Sequence, residues 1–280
     1  MRTVTLGNGV EIPQIGYGTW QTPSGEIAEK AVLDALETGY RHIDTAAAYK
    51  NEGSVGAAIR KSGIKREEIF LTSKVWNSER GYDRTMKAFE ATMDQLQTEY
   101  LDLYLIHWPN PVAFRDRGFE MTLETWRAME ELYKKGRIRA IGVSNFWTRH
   151  LVPLIAEAEI KPMVDQIRVC PGEPQTETVA CCRENGIAVE GYSPFGTGRL
   201  FENAEIRKIA RKYGKSVAQV TLNWGLRQGV IPLPKSLNKA RMAENLDVFG
   251  FELSQEDFDS ITGLPYGTCG KATNPDIGNF

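Results

Sequence analysis

The chain has 280 residues, 41% hydrophobic and 25% charged, which are the proportions of a folded protein with a large core and exclude a disordered chain. Thirty-four basic residues face thirty-six acidic ones, and the resulting charge of −2 gives no field favouring nucleic acid or a membrane surface. No apolar run approaches the roughly 18 residues of a spanning helix. The first predicted element is a hairpin from Val4 to Ile12, because Asn8-Gly9 between two short apolar pieces is a strong turn signal. Short apolar runs then alternate with stretches of helical period. The predicted strands are Gln14–Tyr17, His42–Ile43, Ile69–Ser73, Leu101–Ile106, Arg137–Val143, Met163–Gln166, Ala188–Glu190 and Val230–Ile231. The predicted helices are Gly25–Thr38, Ser54–Lys61, Asp83–Gln97, Leu123–Lys134, Thr176–Glu184, Asn203–Tyr213, Val217–Gln228 and Lys239–Leu246.

Eight strands alternating with helices imply βαβ units, since parallel neighbours need a long crossover. Gly39, Gly63, Gly136, Gly186, Gly214 and Gly229 each follow a helical stretch, where a left-handed residue closes a helix. No linker or low-complexity segment divides the chain. The first βα junction, Gly16-Tyr17-Gly18-Thr19-Trp20, lacks the G-x-G-x-x-G of an open dinucleotide-binding sheet. The expectation is therefore an α/β fold in one domain over residues 1–280: a (β/α)8 TIM barrel with an N-terminal β-hairpin closing its bottom.

A barrel of this kind works at the C-terminal ends of its strands. Asp44, Lys74 and His107 each follow an apolar strand, and Tyr49 lies in the loop after Asp44. A tyrosine titrates near 10 and is a poor acid at neutral pH. An adjacent ammonium lowers that value, and a carboxylate holds the ammonium. Tyr49, Lys74 and Asp44 thus form a proton-donor relay on paper, with His107 placed to orient a carbonyl oxygen. The three histidines are scattered and no metal-ligand spacing recurs, so no metal is expected. Four cysteines, Cys170, Cys181, Cys182 and Cys269, are too sparse for a disulfide framework; reduced thiols in a cytoplasmic protein are expected.

These residues resemble the aldo-keto reductases over nearly the whole chain. The segments Gly39-Tyr40-Arg41-His42-Ile43-Asp44-Thr45-Ala46, Leu101-Asp102-Leu103-Tyr104-Leu105-Ile106-His107-Trp108-Pro109, Gly136 to Phe146 and Ile231-Pro232-Leu233-Pro234-Lys235-Ser236 are similar to four family motifs in the family's order. The similarity is greatest to the short-loop bacterial and yeast-type members, 2,5-diketo-D-gluconate reductases among them. The resemblance implies NADPH-dependent hydride transfer to an aldehyde or ketone, with Asp44, Tyr49, Lys74 and His107 as catalytic tetrad and Tyr49 as general acid. It implies that Ser144, Asn145 and Gln166 hold the nicotinamide carboxamide, that Tyr192 stacks beneath the ring, and that Ser193, Phe195 and Gly196 follow the pyrophosphate. Gly18 and Thr19 join the cofactor site. Lys235, Ser236 and Arg241 would surround a 2′-phosphate, for which cationic donors are the natural partners, with Glu244 and Asn245 near adenine. Trp20, Trp76 and Trp108 would line the substrate pocket. Phe114 and Trp147 also fall near the mouth.

The chain departs from the family pattern at several points. Asn238 stands where many members carry a second arginine, Asp165 precedes Gln166 in place of asparagine, Phe195 replaces leucine, and Lys50 follows Tyr49 where glycine is frequent. The residues also admit a Schiff-base aldolase using Lys74, or a cofactor-binding sensor with little turnover. A small-molecule carbonyl is the expected partner, with no nucleic acid or membrane, and the expected state is a monomer.

Overall fold

The computed structural model describes residues 2–279. Strands β1 (Thr3–Thr5) and β2 (Glu11–Pro13) pair antiparallel with Val4 opposite Ile12. Asn8 ties this hairpin to the barrel through its side-chain amide, which donates to the Arg139 carbonyl at 2.8 Å, while Leu6, Ile12 and Ile15 are buried.

Eight strands follow in one parallel sheet, in sequence order: β3 (Tyr17–Gly18), β4 (His42–Asp44), β5 (Phe70–Val75), β6 (Leu101–Ile106), β7 (Ile138–Ser144), β8 (Val164–Arg168), β9 (Ala188–Tyr192) and β10 (Val230–Leu233). Gly16 and Gly18 donate to the carbonyls of Pro232 and Pro234 at 3.0 and 3.1 Å, bringing the first strand against the last. This seam needs glycine: a Cβ on Gly16 would stand 2.5 Å from Leu233 Cδ2 and 2.6 Å from His42 Nδ1. The barrel expectation is thereby met. Strand β3 is shorter and later than Gln14–Tyr17, whereas β5, β7, β8, β9 and β10 run one to two residues further toward the mouth than expected.

The helices are α1 (Glu26–Thr38), α2 (Glu52–Lys61), α3 (Tyr82–Leu96), α4 (Gly118–Lys134), α5 (Thr148–Glu157), α6 (Thr176–Glu184), α7 (Ala204–Tyr213), α8 (Val217–Arg227), α9 (Lys239–Leu246) and α10 (Gln255–Thr262). Two of these escape the periodicity reading. Helix α5 contains Pro153, which reads as a breaker, and α10 is a short helix capped by the Ser254 hydroxyl. The six glycines expected to close helices all take positive φ, from 61° at Gly214 to 117° at Gly39.

After α10 the chain crosses the loops that follow β6, β7 and β8. Gly267 donates to the Gly172 carbonyl at 3.0 Å and Ala272 to the Glu173 carboxylate at 2.9 Å. Asp276 accepts from Arg149 Nε at 2.7 Å and lies 2.8 Å from His150 Nε2, while Arg115 donates to the Gly278 carbonyl. Here one expectation is corrected. Cys170 and Cys269 form a disulfide, their Cα atoms 6.6 Å apart, and only Cys181 and Cys182 remain free. The fold brings the post-β8 loop and the tail onto one face, although 99 positions separate the two cysteines in sequence.

Candidate active site

The strand ends deliver the selected side chains to one mouth. Asp44 ends β4, Lys74 is the fifth residue of β5, and His107 follows β6. Lys74 Nζ donates to Asp44 Oδ2 at 2.6 Å, to the Thr45 carbonyl at 2.9 Å and to the Tyr49 hydroxyl at 3.4 Å. An ammonium has three donors, and all three are engaged. Lys74 is 0% exposed and Asp44 3%. Burial works against the Lys74 charge, yet Asp44 together with Tyr49 and Glu190 more than restores it, and the ammonium is held above its usual pKa.

Tyr49 behaves differently from expectation. Burial of its hydroxyl outweighs the pull of Lys74 and pushes the pKa up to about 12. The acidification expected from the ammonium is thus overcome by desolvation, and the group is a neutral phenol at neutral pH. Since Lys74 only donates, the Tyr49 oxygen accepts from it and keeps its own O–H available. His107 is buried and neutral, held well below its usual pKa by burial and by Lys74. Its ring meets Tyr49 edge-on at 5.8 Å and Trp76 at 5.0 Å, and stacks with Trp108 at 6.4 Å. Trp76 and Trp108 therefore flank the centre. Trp20 is 47% exposed and makes no ring contact with this group.

A second set lies across the mouth. Ser144 Oγ donates to the Gln166 carbonyl at 2.8 Å, Asn145 Nδ2 to the His107 carbonyl at 2.9 Å, and the Tyr192 hydroxyl to Asn145 Oδ1 at 2.7 Å. Asn145 adopts φ 62°, in the left-handed region that asparagine tolerates. Gln166 Nε2 donates at 2.8 Å to both Asp44 and Glu190. Beyond β9, Ser193, Gly196, Thr197 and Gly198 all take positive φ, and Gly196 N and Gly198 N donate to the Ser193 and Phe195 carbonyls at 2.9 and 3.0 Å. Gly196 packs against the tail, where a Cβ would stand 2.5 Å from that of Cys269; Phe195 packs 5.3 Å from Phe201.

Lys235 and Arg241 are exposed, with Ser236 half-buried between them in sequence, and neither cation makes an ion pair among the described residues. Asn238, the residue replacing a second arginine, caps α9 by accepting from Arg241 N at 3.1 Å. Asn245 is buried beside Tyr40, and Glu244 is its half-buried neighbour on the helix surface. Thr19 is fully buried, its hydroxyl donated to the Asp44 carbonyl at 2.9 Å; Gly18 stays at the β3 seam. Lys50 is exposed. Phe114 meets Arg84, and Trp147 meets Arg149.

Sequence reading missed Glu190 and Asn51. Asn51 is fully buried and bonds the Thr45 hydroxyl and the carbonyls of Thr19 and Thr22, fixing the loop that carries Tyr49. A polar residue inside an apolar strand end was the available signal for Glu190. A cavity of about 860 Å³ lined by Glu90, Tyr100 and Arg137 lies at the opposite end of the barrel and holds none of the selected residues.

The family model described as the Aldo/keto reductase family matches residues 14–265. This chain belongs to that family. By family it is an oxidoreductase acting on carbonyl groups. The chain is 51% identical over 262 residues to glyoxal reductase of Bacillus subtilis (strain 168), covering 94% of this aldo-keto reductase and 92% of that protein. It is 39% identical over 279 residues to methylglyoxal reductase DkgA of Escherichia coli (strain K12), covering 99% and 97%. The Bombyx mori aldo-keto reductase solved in complex with NADP is 36% identical with a TM-score of 0.86, covering 93% of this chain and 92% of that one.

Proposed function

We propose that this aldo-keto reductase reduces small aldehydes and ketones, short dicarbonyls of the glyoxal and methylglyoxal type foremost, to alcohols with NADPH. The observation that carries the reading is Lys74, fully enclosed between Asp44 at 2.6 Å and the Tyr49 hydroxyl at 3.4 Å, with neutral His107 beside the phenol. Bound in this mouth, NADPH supplies a hydride to the carbonyl carbon. Tyr49 gives its proton to the carbonyl oxygen, and Lys74 stabilises the phenolate left behind. Asp44 holds Lys74 charged and in place. His107, without charge, orients the carbonyl oxygen by hydrogen bonding.

The positive-φ loop after β9 suits a pyrophosphate, and the exposed Lys235 and Arg241 suit a 2′-phosphate. Ser144, Asn145 and Gln166 would hold the carboxamide, with Tyr192 under the ring. Trp76 and Trp108 would wall the substrate pocket. The aldolase alternative is disfavoured by Lys74 itself: its three donors are engaged and its pKa is raised, whereas a Schiff-base lysine must be a free amine. A single-domain monomer in the cytoplasm completes the proposal; sedimentation and cell fractionation test those two points. The deciding experiment is oxidation of NADPH and, in parallel, NADH with glyoxal, methylglyoxal and simple aldehydes. Cofactor binding with no turnover on any carbonyl would leave the sensor reading in its place.

A further inference from the structure

Glu190 lies on β9 beside the reacting groups proposed above and belongs to none of them. It is fully buried, as are its neighbours: Glu190 is 0% exposed, Gln166 2% and Asp44 3%. Its Oε2 accepts from Gln166 Nε2 at 2.8 Å, and that same nitrogen donates at 2.8 Å to Asp44 Oδ2. Glu190 Oε1 is 3.2 Å from His42 Nε2. An ionised carboxylate offers only acceptors, so Asp44 and Glu190 together engage both N–H groups of the Gln166 amide. The amide cannot turn over without setting its carbonyl oxygen against the Asp44 carboxylate. Its remaining polar end is therefore Oε1, an acceptor.

We propose that Glu190 is a positioning residue for carbonyl reduction, fixing the Gln166 amide so that Oε1 accepts an N–H of the nicotinamide carboxamide. The proposal rests on the NADP(H) reading of this mouth. The charged and titratable groups facing Glu190 are Asp44 and His42 from β4, Lys74 from β5 and Tyr49 from the loop after β4; β10 contributes only apolar residues. Burial and the nearby Asp44 charge push Glu190 up to about 8. In its neutral form the acid still accepts through its carbonyl oxygen, so the Gln166 contact persists at neutral pH. An apolar side chain of equal size would fill the space but release one N–H of Gln166, and the amide, held by Asp44 alone, would keep its sense but lose its fixed angle.

The test is equilibrium binding, followed by tryptophan fluorescence, of NADP+ and of its 3-acetylpyridine analogue, whose acetyl group lacks the carboxamide N–H. One hydrogen bond should give the unaltered protein a preference of about fivefold to tenfold for NADP+. Glu190→Leu should cut that preference by about half or more, and Glu190→Gln, which keeps an acceptor, should restore most of it. Should Glu190→Leu not fold, the adaptable unbranched Glu190→Met carries the same expectation, with thermal melting confirming the folded state. A preference unchanged in the folded apolar variant overturns the role of Glu190, as does a preference near unity in the unaltered protein. Failure of the unaltered protein to bind NADP+ at all overturns the cofactor reading and this proposal with it.

Discussion

The centre of the mouth and its outer arm are built on opposite plans. Around Lys74 every donor is engaged, Asp44, Lys74 and Gln166 are buried, and Asn51 bonds the surrounding loops. At the start of α9, Lys235 and Arg241 stand exposed, and only the backbone there is fixed, by the Asn238 cap. The contrast separates two tasks. A group that moves a proton must already be oriented before reaction, because reorganisation at that moment costs rate. A group that recognises a phosphate can wait in water and pay side-chain entropy on contact, since its service is affinity.

The largest expected effect lies at the centre. Tyr49→Phe should keep cofactor binding and lose about 10²–10⁴-fold in turnover, since it removes the proton donor while leaving the packed ring. Cofactor titration and steady-state kinetics on the same preparation check this. Near-normal turnover would remove Tyr49 as the acid and dissolve the contrast. Next comes the arm. Arg241→Ala should weaken NADPH by about one to two decades and leave NADH nearly unchanged, as a charge-assisted contact is worth roughly 1.5–3 kcal/mol. The loss should shrink at high salt, because exposed charges are screened. Equal weakening of both cofactors would mean that Arg241 serves α9 and not the 2′-phosphate.

A smaller effect is expected in the stability of the buried centre. Glu190 is shifted from 4.5 in the reference state to about 8 in the fold. Between those values the native protein holds a proton that the unfolded chain has released, so stability falls as pH rises through this window. His42 works oppositely, since burial and Lys74 lower it from 6.5 to about 3; its contribution makes stability rise with pH over that lower range. Urea unfolding between pH 6.5 and 8 lies above the His42 range, and comparison with Glu190→Gln separates Glu190 from buried Asp165, whose pKa is raised in the same direction. The fall seen there should be shallower in Glu190→Gln, and identical slopes would show that Glu190 does not titrate in the window.

The centre was readable before the structure because the barrel rule converts strand ends into one location. Asp44, Lys74 and His107 needed only a polar residue after an apolar run. Tyr49 was placed by motif offset, but its acidity was misjudged, because desolvation depends on the enclosure and the sequence shows only the neighbours. Glu190 was hidden by its own strand: pattern cannot say that it meets Gln166 across one strand spacing and His42 across the barrel. Asn245 and Thr19 rest on motif position alone; the fold buries both, Asn245 beside Tyr40 and Thr19 with its hydroxyl on the Asp44 carbonyl. Helix α5 was obscured by Pro153.

The Cys170–Cys269 pair was the least readable feature, because no spacing rule links positions 99 apart, and it supplies the smallest expected effect on chemistry. The tail it secures touches Gly196 and, at its far end, holds Asp276 against Arg149 and His150. It therefore lies on the loops around the mouth and not at the centre. Cys269→Ser leaves the ion pairs and the Ala272–Glu173 hydrogen bond in place but removes the covalent tie, so the tail should open locally while the barrel stays folded. Cleavage by trypsin after Lys271 should become faster, and a matching acceleration should follow treatment of the unaltered protein with a dithiol. Turnover on saturating substrate should change little, because none of the Tyr49–Lys74–Asp44 contacts passes through the tail. A large loss of turnover in Cys269→Ser would show that the tail reaches the centre, and the division between a fixed centre and an adaptable arm would have to be redrawn.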